Sequence, residues 1–150
     1  MISYQELNAQ NHELVELSNV LTYLLRDRSM CDTGACCELF YRFMDKLKAH
    51  MDVVDNNLYG ALLTHSDHGI ANTARNFISG GRDIKHIIDD YKKRWCVRGK
   101  TEFAVGKDYD RFVRETEEFF GMVTSRIQNE TERLYPLVRE VTGNVTHPAA

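Results

Sequence analysis

Apolar residues recur three or four positions apart along most of this chain, which is the period of amphipathic α-helices. Four runs of this kind predict helices over about residues 4–27, 33–63, 70–95 and 108–142. Ser3-Tyr-Gln-Glu6 has the pattern of a capping box at the start of the first run, and Pro136 predicts a kink or the local loss of one backbone hydrogen bond within the fourth. Four long helices with short connections favour an all-α fold, an up-down-up-down antiparallel four-helix bundle.

The chain has the length of a single domain, and we expect one over residues 1–150. The ordered bundle is predicted over about residues 4–142, and a frayed tail over 143–150. Gly80-Gly81 stands within the third run, where a glycine pair either interrupts a helix or permits a close helix contact.

Two segments look like imperfect copies of one helical motif. They read HMDVVDNNLYG, starting at His50, and RIQNETERLYP, starting at Arg126. Residues four apart stack on one face of a helix, so a histidine followed four positions later by a carboxylate presents both to a metal. The first copy has His50 but has Val54 at the carboxylate position. The second has Glu130 but has Arg126 at the histidine position. Each copy therefore carries half of such a site.

The pattern His-x-x-x-Glu-Glu-x-x-Leu-Tyr/Phe-Pro, present twice in a small all-helical protein, is typical of hemerythrin-like (HHE cation-binding) domains, which this chain resembles. The resemblance implies a hemerythrin-like four-helix bundle. In that family, inward-facing His and Glu ligands hold a non-haem di-iron centre that binds oxygen or senses oxygen, nitric oxide or iron. The motif evidence comes mainly from the two short segments.

Helical phase, at about 100° per residue, tests which candidate ligands face inward. His12 and His86 lie nearly opposite the apolar stripes of their helices, so both are predicted to be surface residues. The inward positions near them hold Gln10, Asn11, Ile84 and Ile88, none of which is a good iron ligand.

His50 and Glu130 fall in the middle of apolar faces, while Asp55 and Arg126 lie toward the edges of the same faces. A His and two carboxylates can hold a single iron or manganese ion, so His50, Asp55 and Glu130 are candidate metal ligands. The alternative needs no cofactor. Arg126 then replaces the metal as the internal cation of a polar core with His50 and Glu130.

The four cysteines suggest a second candidate site. Cys31, Cys36 and Cys37 lie between the first two predicted helices and Cys96 ends the third, which places all four at one end of an up-down bundle. A helix N-terminus favours the thiolate of Cys36 and Cys37. Packing as small apolar residues, thiol redox chemistry and zinc binding remain three alternatives for this cluster.

Composition excludes several partners. The 19 basic and 22 acidic residues give a net charge of −3 without a concentrated basic run, so nucleic acid is not an expected partner. No stretch approaches the roughly 18 apolar residues of a membrane helix, and the N-terminus does not resemble a signal peptide. We expect a cytoplasmic protein with reduced cysteines and an unidentified protein partner or a homodimer contact, with Tyr41 and Met44 as candidate surface residues.

Three functional hypotheses follow. The first is a non-enzymatic regulatory, sensing or interaction module on a bundle with an incomplete di-iron site. The second is a non-haem iron protein for sensing or carriage of oxygen, nitric oxide or iron. The third is a thiol redox sensor. No residue pattern assigns a reaction class or catalytic residues.

Overall fold

The computed structural model describes residues 3–97 and 102–143, and every regular element within these ranges is helical. In chain order the helices are α1 (Tyr4–Leu25), α2 (Arg28–Cys31), α3 (Gly34–Asn57), α4 (Gly60–Leu63), α5 (His68–Trp95), α6 (Tyr109–Asn129), a π-helical segment (Glu130–Leu134) and α7 (Tyr135–Thr142). An isolated antiparallel bridge joins Cys96 and Phe103. The predicted all-α class is confirmed.

The predicted helix boundaries need two corrections. The short helix α2 was not predicted, and the helix predicted to continue to Leu63 ends at Asn57 and resumes at Gly60. The capping box is present, because the Ser3 hydroxyl accepts from the Glu6 amide while the Glu6 carboxylate accepts from the Ser3 amide. Thr33 caps α3 through the Cys36 amide.

The long helices α1, α3, α5 and α6 pack against one another in pairs. Helix α1 packs against α3 and α6, and α3 also packs against α5. The short helix α4 contacts α5 and α7. The candidate site lies among residues of α1, α3, α5, α6 and the π-helical segment.

The buried side chains form two apolar clusters. The larger one is rich in aromatic rings, with Phe40, Phe43, Tyr91, Phe112, Phe119 and Phe120 among its members. The smaller one contains Leu7, Val54, Leu58, Phe77, Leu134 and Val138. The candidate polar site lies between residues of these two clusters along α3 and α6.

Several remaining expectations can be compared with the structure. Met44 is fully buried rather than a surface residue, and Tyr41 is half-buried. Gly143, in the left-handed region at φ 63°, ends α7. Part of the predicted loop, residues 98–101, and the tail from residue 144 onward lie outside the described residues. Within the described part of the chain, no helix is both long and apolar enough to cross a membrane.

Candidate functional site: a buried histidine, glutamate and arginine network

His50 lies on the buried face of α3, and its side chain is 2% exposed. The apolar residues Leu47 and Val54, three before and four after it, hold this face inward. Its Nε2 lies 2.8 Å from Glu130 Oε1, and its Nδ1 lies 2.7 Å from Gln10 Oε1 on α1. Both ring nitrogens therefore have a side-chain oxygen within hydrogen-bond distance.

Glu130 is the centre of the network, with its side chain 1% exposed. Its Oε1 also accepts a hydrogen bond from the Tyr135 hydroxyl at 3.0 Å, and its Oε2 accepts from Arg126 Nε at 3.0 Å. Both carboxylate oxygens thus have protein donors. A buried carboxylate is costly unless it is paired in this way, so these donors are what permit Glu130 to lie inside the protein.

The Arg126 side chain, 12% exposed, connects Glu130 to two other parts of the fold. Its Nη1 donates to the backbone carbonyl of Phe77 at 2.8 Å, and its Nη2 donates to the Tyr59 hydroxyl at 3.0 Å. The guanidinium carbon also lies 5.0 Å from the centre of the Phe77 ring, within the range of a cation–π contact. The guanidinium is therefore fixed from three sides.

Gly80 and Gly81 provide the space for this guanidinium. Helix α5 continues through both residues, so the glycine pair permits a close contact and does not break the helix. A Cβ atom at Gly80 would lie 3.2 Å from Arg126 Nη1, and one at Gly81 would lie 3.4 Å from Nη2. The absence of side chains at these positions is what lets Arg126 approach the α5 backbone.

The π-helical segment Glu130–Leu134 sets the direction of the side chains at its two ends. Its wider turn is closed by the Tyr135 amide, which donates to the Glu130 carbonyl five residues earlier. Pro136 follows directly and has no amide proton to donate to residue 132, so a regular α-helical bond is missing at this point. The π-helical segment thus lies directly before Pro136, where the loss of one backbone hydrogen bond was among the predicted outcomes.

Electrostatics keep Glu130 charged. Burial acts to raise the pKa of Glu130, but the hydrogen bond and charge of His50 and the charge of Arg126 outweigh it, so this pKa lies below its ordinary value. Burial also raises the pKa of Tyr59 to about 12 and that of Tyr135 above its ordinary value. Both tyrosines consequently keep their protons and act as neutral hydrogen-bonding groups around the ionised carboxylate.

Asp55 does not join this network, which corrects its placement with His50 and Glu130. Its carboxylate accepts a hydrogen bond from Lys85 at 2.8 Å, on the exposed side of α3. His12, with its side chain 74% exposed, pairs with Glu16, and His86 is exposed. In the described part of the chain, no group of three or more His, Cys, Asp or Glu side chains is arranged to hold a metal ion.

Three partners in the network were not identified from the sequence. Gln10 was recognised as inward-facing but was considered only as an iron ligand, whereas it bonds His50. Tyr59 and Tyr135 hold equivalent places in the two motif copies, nine residues after His50 and Arg126. The repeated Leu-Tyr pair was therefore the sequence signal that could have identified both tyrosines. Each tyrosine bonds a member of the second copy, Tyr59 to Arg126 and Tyr135 to Glu130.

The tyrosine of the second copy also connects the network to α1. Its hydroxyl accepts from Asn11 Nδ2 at 3.0 Å, and its backbone carbonyl accepts from the Tyr4 hydroxyl at 2.6 Å. The network thus spans α1, α3, α5, α6 and the π-helical region. It links segments that are more than 100 residues apart in the chain, which is a specific constraint on how the helices pack.

All four cysteines are free; Cys31, Cys36 and Cys37 are buried, and Cys96 is half-buried. Burial raises the pKa of Cys31 and of Cys37 to about 12 and also raises those of Cys36 and Cys96. Burial therefore acts against the activation that the helix N-terminus was expected to give Cys36 and Cys37, because it disfavours the thiolate.

Comparison with known proteins adds little to this geometry. No protein-family model matches the chain, and no solved structure matches it. Elongation factor 1-alpha of Picrophilus torridus is 30% identical over 98 residues, which are 65% of this chain and 22% of that protein. The chain thus spans less than a quarter of the length of this curated relative.

Proposed function

We propose that this chain is a hemerythrin-like, up-down-up-down four-helix bundle in which an arginine has taken the place of the metal, and that it acts as a non-enzymatic regulatory or interaction module. The four long helices and the contacts of α1 with α3 and α6 support the bundle topology. The buried network of His50, Glu130 and Arg126 supports the replacement of the metal.

The position of Arg126 is the observation that carries this proposal. Its Nε lies 3.0 Å from Glu130 Oε2, so the carboxylate that would bind a metal is already neutralised by a fixed cation. The other carboxylate oxygen is held by His50 and Tyr135. A metal entering here would have to displace protein donors from both oxygens and would meet the repulsion of the guanidinium.

A role in specifying the fold follows from the same contacts. A buried charged network adds little stability compared with apolar packing, but it strongly penalises arrangements that leave one of its members unpaired. Here the network joins α1, α3, α5, α6 and the π-helical region, so it favours one helix register. The function would then belong to the surface of the module and to a protein partner.

A cytoplasmic location is part of this proposal. The four thiols are unpaired, which fits a reducing compartment. Zinc binding or thiol redox sensing at the cysteines is less well supported, because burial raises the pKa of every one of these thiols.

Elemental analysis tests the proposal directly. The full chain is expressed in iron-supplemented medium and purified without a chelator or a metal-affinity step. We expect a folded helical protein that contains no stoichiometric iron. Its urea midpoint should be the same with EDTA and with added ferrous iron, since a ligand that binds only the native state would raise the midpoint.

The iron-binding hypothesis makes the opposite prediction. Near-stoichiometric iron that is lost in His50→Gln and in Glu130→Gln would overturn the proposal and would support a sensor or carrier of oxygen, nitric oxide or iron. Glu16→Gln is the matched control, since Glu16 is exposed and lies outside the network. Iron that is retained equally in all three variants would indicate binding elsewhere in the chain and would also overturn the metal-free proposal.

A further inference from the structure

A cleft of about 430 Å³ opens between α5 and α6 beside the buried network. Its apolar lining comes from Phe77, Ile84 and Met122. The volume falls within the range of roughly 300–1,000 Å³ that is usual for sites of small organic molecules. Such sites combine an apolar lining with a few polar groups, and this cleft has both.

The polar groups at the cleft have hydrogen-bonding capacity to spare. Asn76, Ser125, Asn129 and Arg133 line it, and all four residues are exposed. Within the described part of the chain, none of these four side chains takes part in a hydrogen bond or ion pair. Their donors are therefore available to a bound molecule.

Two guanidinium groups at the cleft offer N–H donors to an anion. Arg126 uses three N–H donors for Glu130, Phe77 and Tyr59, whereas a guanidinium has five, so two remain. Arg133 brings a second guanidinium, and Asp83 is the carboxylate that lines the cleft. Guanidinium groups pair well with carboxylates because their fork of donors matches the two oxygens.

We propose that this cleft binds a small organic carboxylate. The apolar body of the ligand would lie against Phe77, Ile84 and Met122, and its carboxylate would meet Arg133 and the remaining donors of Arg126. This inference goes beyond the metal-free proposal and does not rest on it, because Arg133 lies outside the buried network. Its ligand would contact Arg126, and so would give the network a direct connection to a small molecule.

An NMR titration of the full chain with sodium benzoate tests this site. We expect saturable shifts of the backbone amides of Gly80, Ile84 and Met122. Benzyl alcohol, a neutral probe of similar size, should bind at least roughly threefold more weakly, because it cannot form the ion pair. Chemical shifts far from the cleft report on whether the fold is unchanged.

Three variants separate carboxylate recognition from general electrostatics. Arg133→Gln should weaken benzoate binding roughly 1.5-fold to fivefold, the range for an exposed ion pair. Asp83→Asn should strengthen it, since a repulsive carboxylate is removed. Arg82→Gln removes the charge of an exposed arginine on α5 that does not line the cleft, and it should leave the affinity nearly unchanged.

Four results would overturn the proposal. These are the absence of saturable shifts at millimolar benzoate, shifts confined to other surfaces, equal affinity for benzoate and benzyl alcohol, and equal weakening by Arg133→Gln and Arg82→Gln. None of these results bears on the iron content of the protein, so the cleft and the metal-free network can fail separately.

Discussion

Tyr135 donates a hydrogen bond to Glu130, the residue five positions before it in the chain, at 3.0 Å. In a regular α-helix, side chains five positions apart point about 140° away from each other. The π-helical segment between these residues has a wider turn and brings them onto one face. The irregular backbone is therefore part of the network and not a defect beside it.

Replacing Tyr135 with phenylalanine tests this relationship. Tyr135→Phe removes the donor to Glu130 and the acceptor for Asn11, and it leaves two buried polar atoms with fewer partners. We expect a loss of about 1–3 kcal/mol in the free energy of unfolding, measured by urea denaturation. Tyr23→Phe is the matched control, because Tyr23 is 80% exposed and should change stability very little. Equal midpoints for wild type and Tyr135→Phe would contradict the importance of this bond.

The limited space between Arg126 and the α5 backbone leads to a second prediction. Gly121→Ala should stabilise the protein by about 1 kcal/mol through helix propensity, because a Cβ there meets no atom within 4 Å. Gly80→Ala gains the same propensity but places its Cβ 3.2 Å from Arg126 Nη1, so the guanidinium must shift by a few tenths of an ångström against its three hydrogen bonds. We expect Gly80→Ala to be clearly less stable than Gly121→Ala in urea denaturation. Equal stabilisation by both substitutions would show that Arg126 adapts freely.

The depressed pKa of Glu130 predicts the direction of a pH effect. The folded pKa lies below the ordinary value of 4.5, so the folded state favours the ionised carboxylate. The resulting stability is fully present above pH 4.5 and is lost as the pH falls through the folded pKa. At pH 7, Glu130→Gln should cost about 3 kcal/mol by breaking a buried ion pair.

Urea denaturation of wild type and Glu130→Gln at pH 7, 5, 4 and 3 measures this effect, since other titrating groups act on both proteins. The difference in the free energy of unfolding between wild type and Glu130→Gln should narrow toward pH 3. A difference that stays constant over the whole series would mean that Glu130 is not an ionised partner in the folded state.

Thiol accessibility gives a fourth prediction. Burial raises the pKa of Cys31 and Cys37 to about 12, so both should react very slowly with iodoacetamide in the folded protein at pH 7.5. Cys96 is half-buried and should be alkylated first, and all four should react in urea. Mass spectrometry of peptides over a time course identifies each site. Rapid alkylation of Cys37 in the folded state would contradict the raised pKa and would favour thiol sensing.

Much of the fold could be predicted from the sequence because the apolar period is regular. The capping box at Ser3 and the burial of His50 and Glu130 agree with the apolar pattern. The break after Asn57 could not be predicted, because the apolar period continues through Leu58 and Leu62, which are both buried. The period of apolar residues shows which face of a helix is buried. It does not show whether the backbone hydrogen bonds of the helix are continuous.

The errors at the candidate sites have separate physical causes. Asp55 lies near the edge of the inner face, where a small rotation of the helix decides between a buried partner and Lys85. Burial raises the pKa of the Cys36 and Cys37 thiols. Burial depends on tertiary packing and cannot be judged from a helix N-terminus alone. Gln10 was considered only as a metal ligand, whereas its side chain forms a hydrogen bond with the imidazole of His50.

The glycine pair in α5 has a consequence for how this sequence can change. A side chain at position 80 would press on the guanidinium of Arg126, and a shorter residue at position 126 would leave Glu130 without its cation. Substitutions at these three positions are therefore expected to occur together. In a set of relatives, residues 80, 126 and 130 should vary as a group, and a relative with a carboxylate at position 130 and no arginine at position 126 should carry another cation for it.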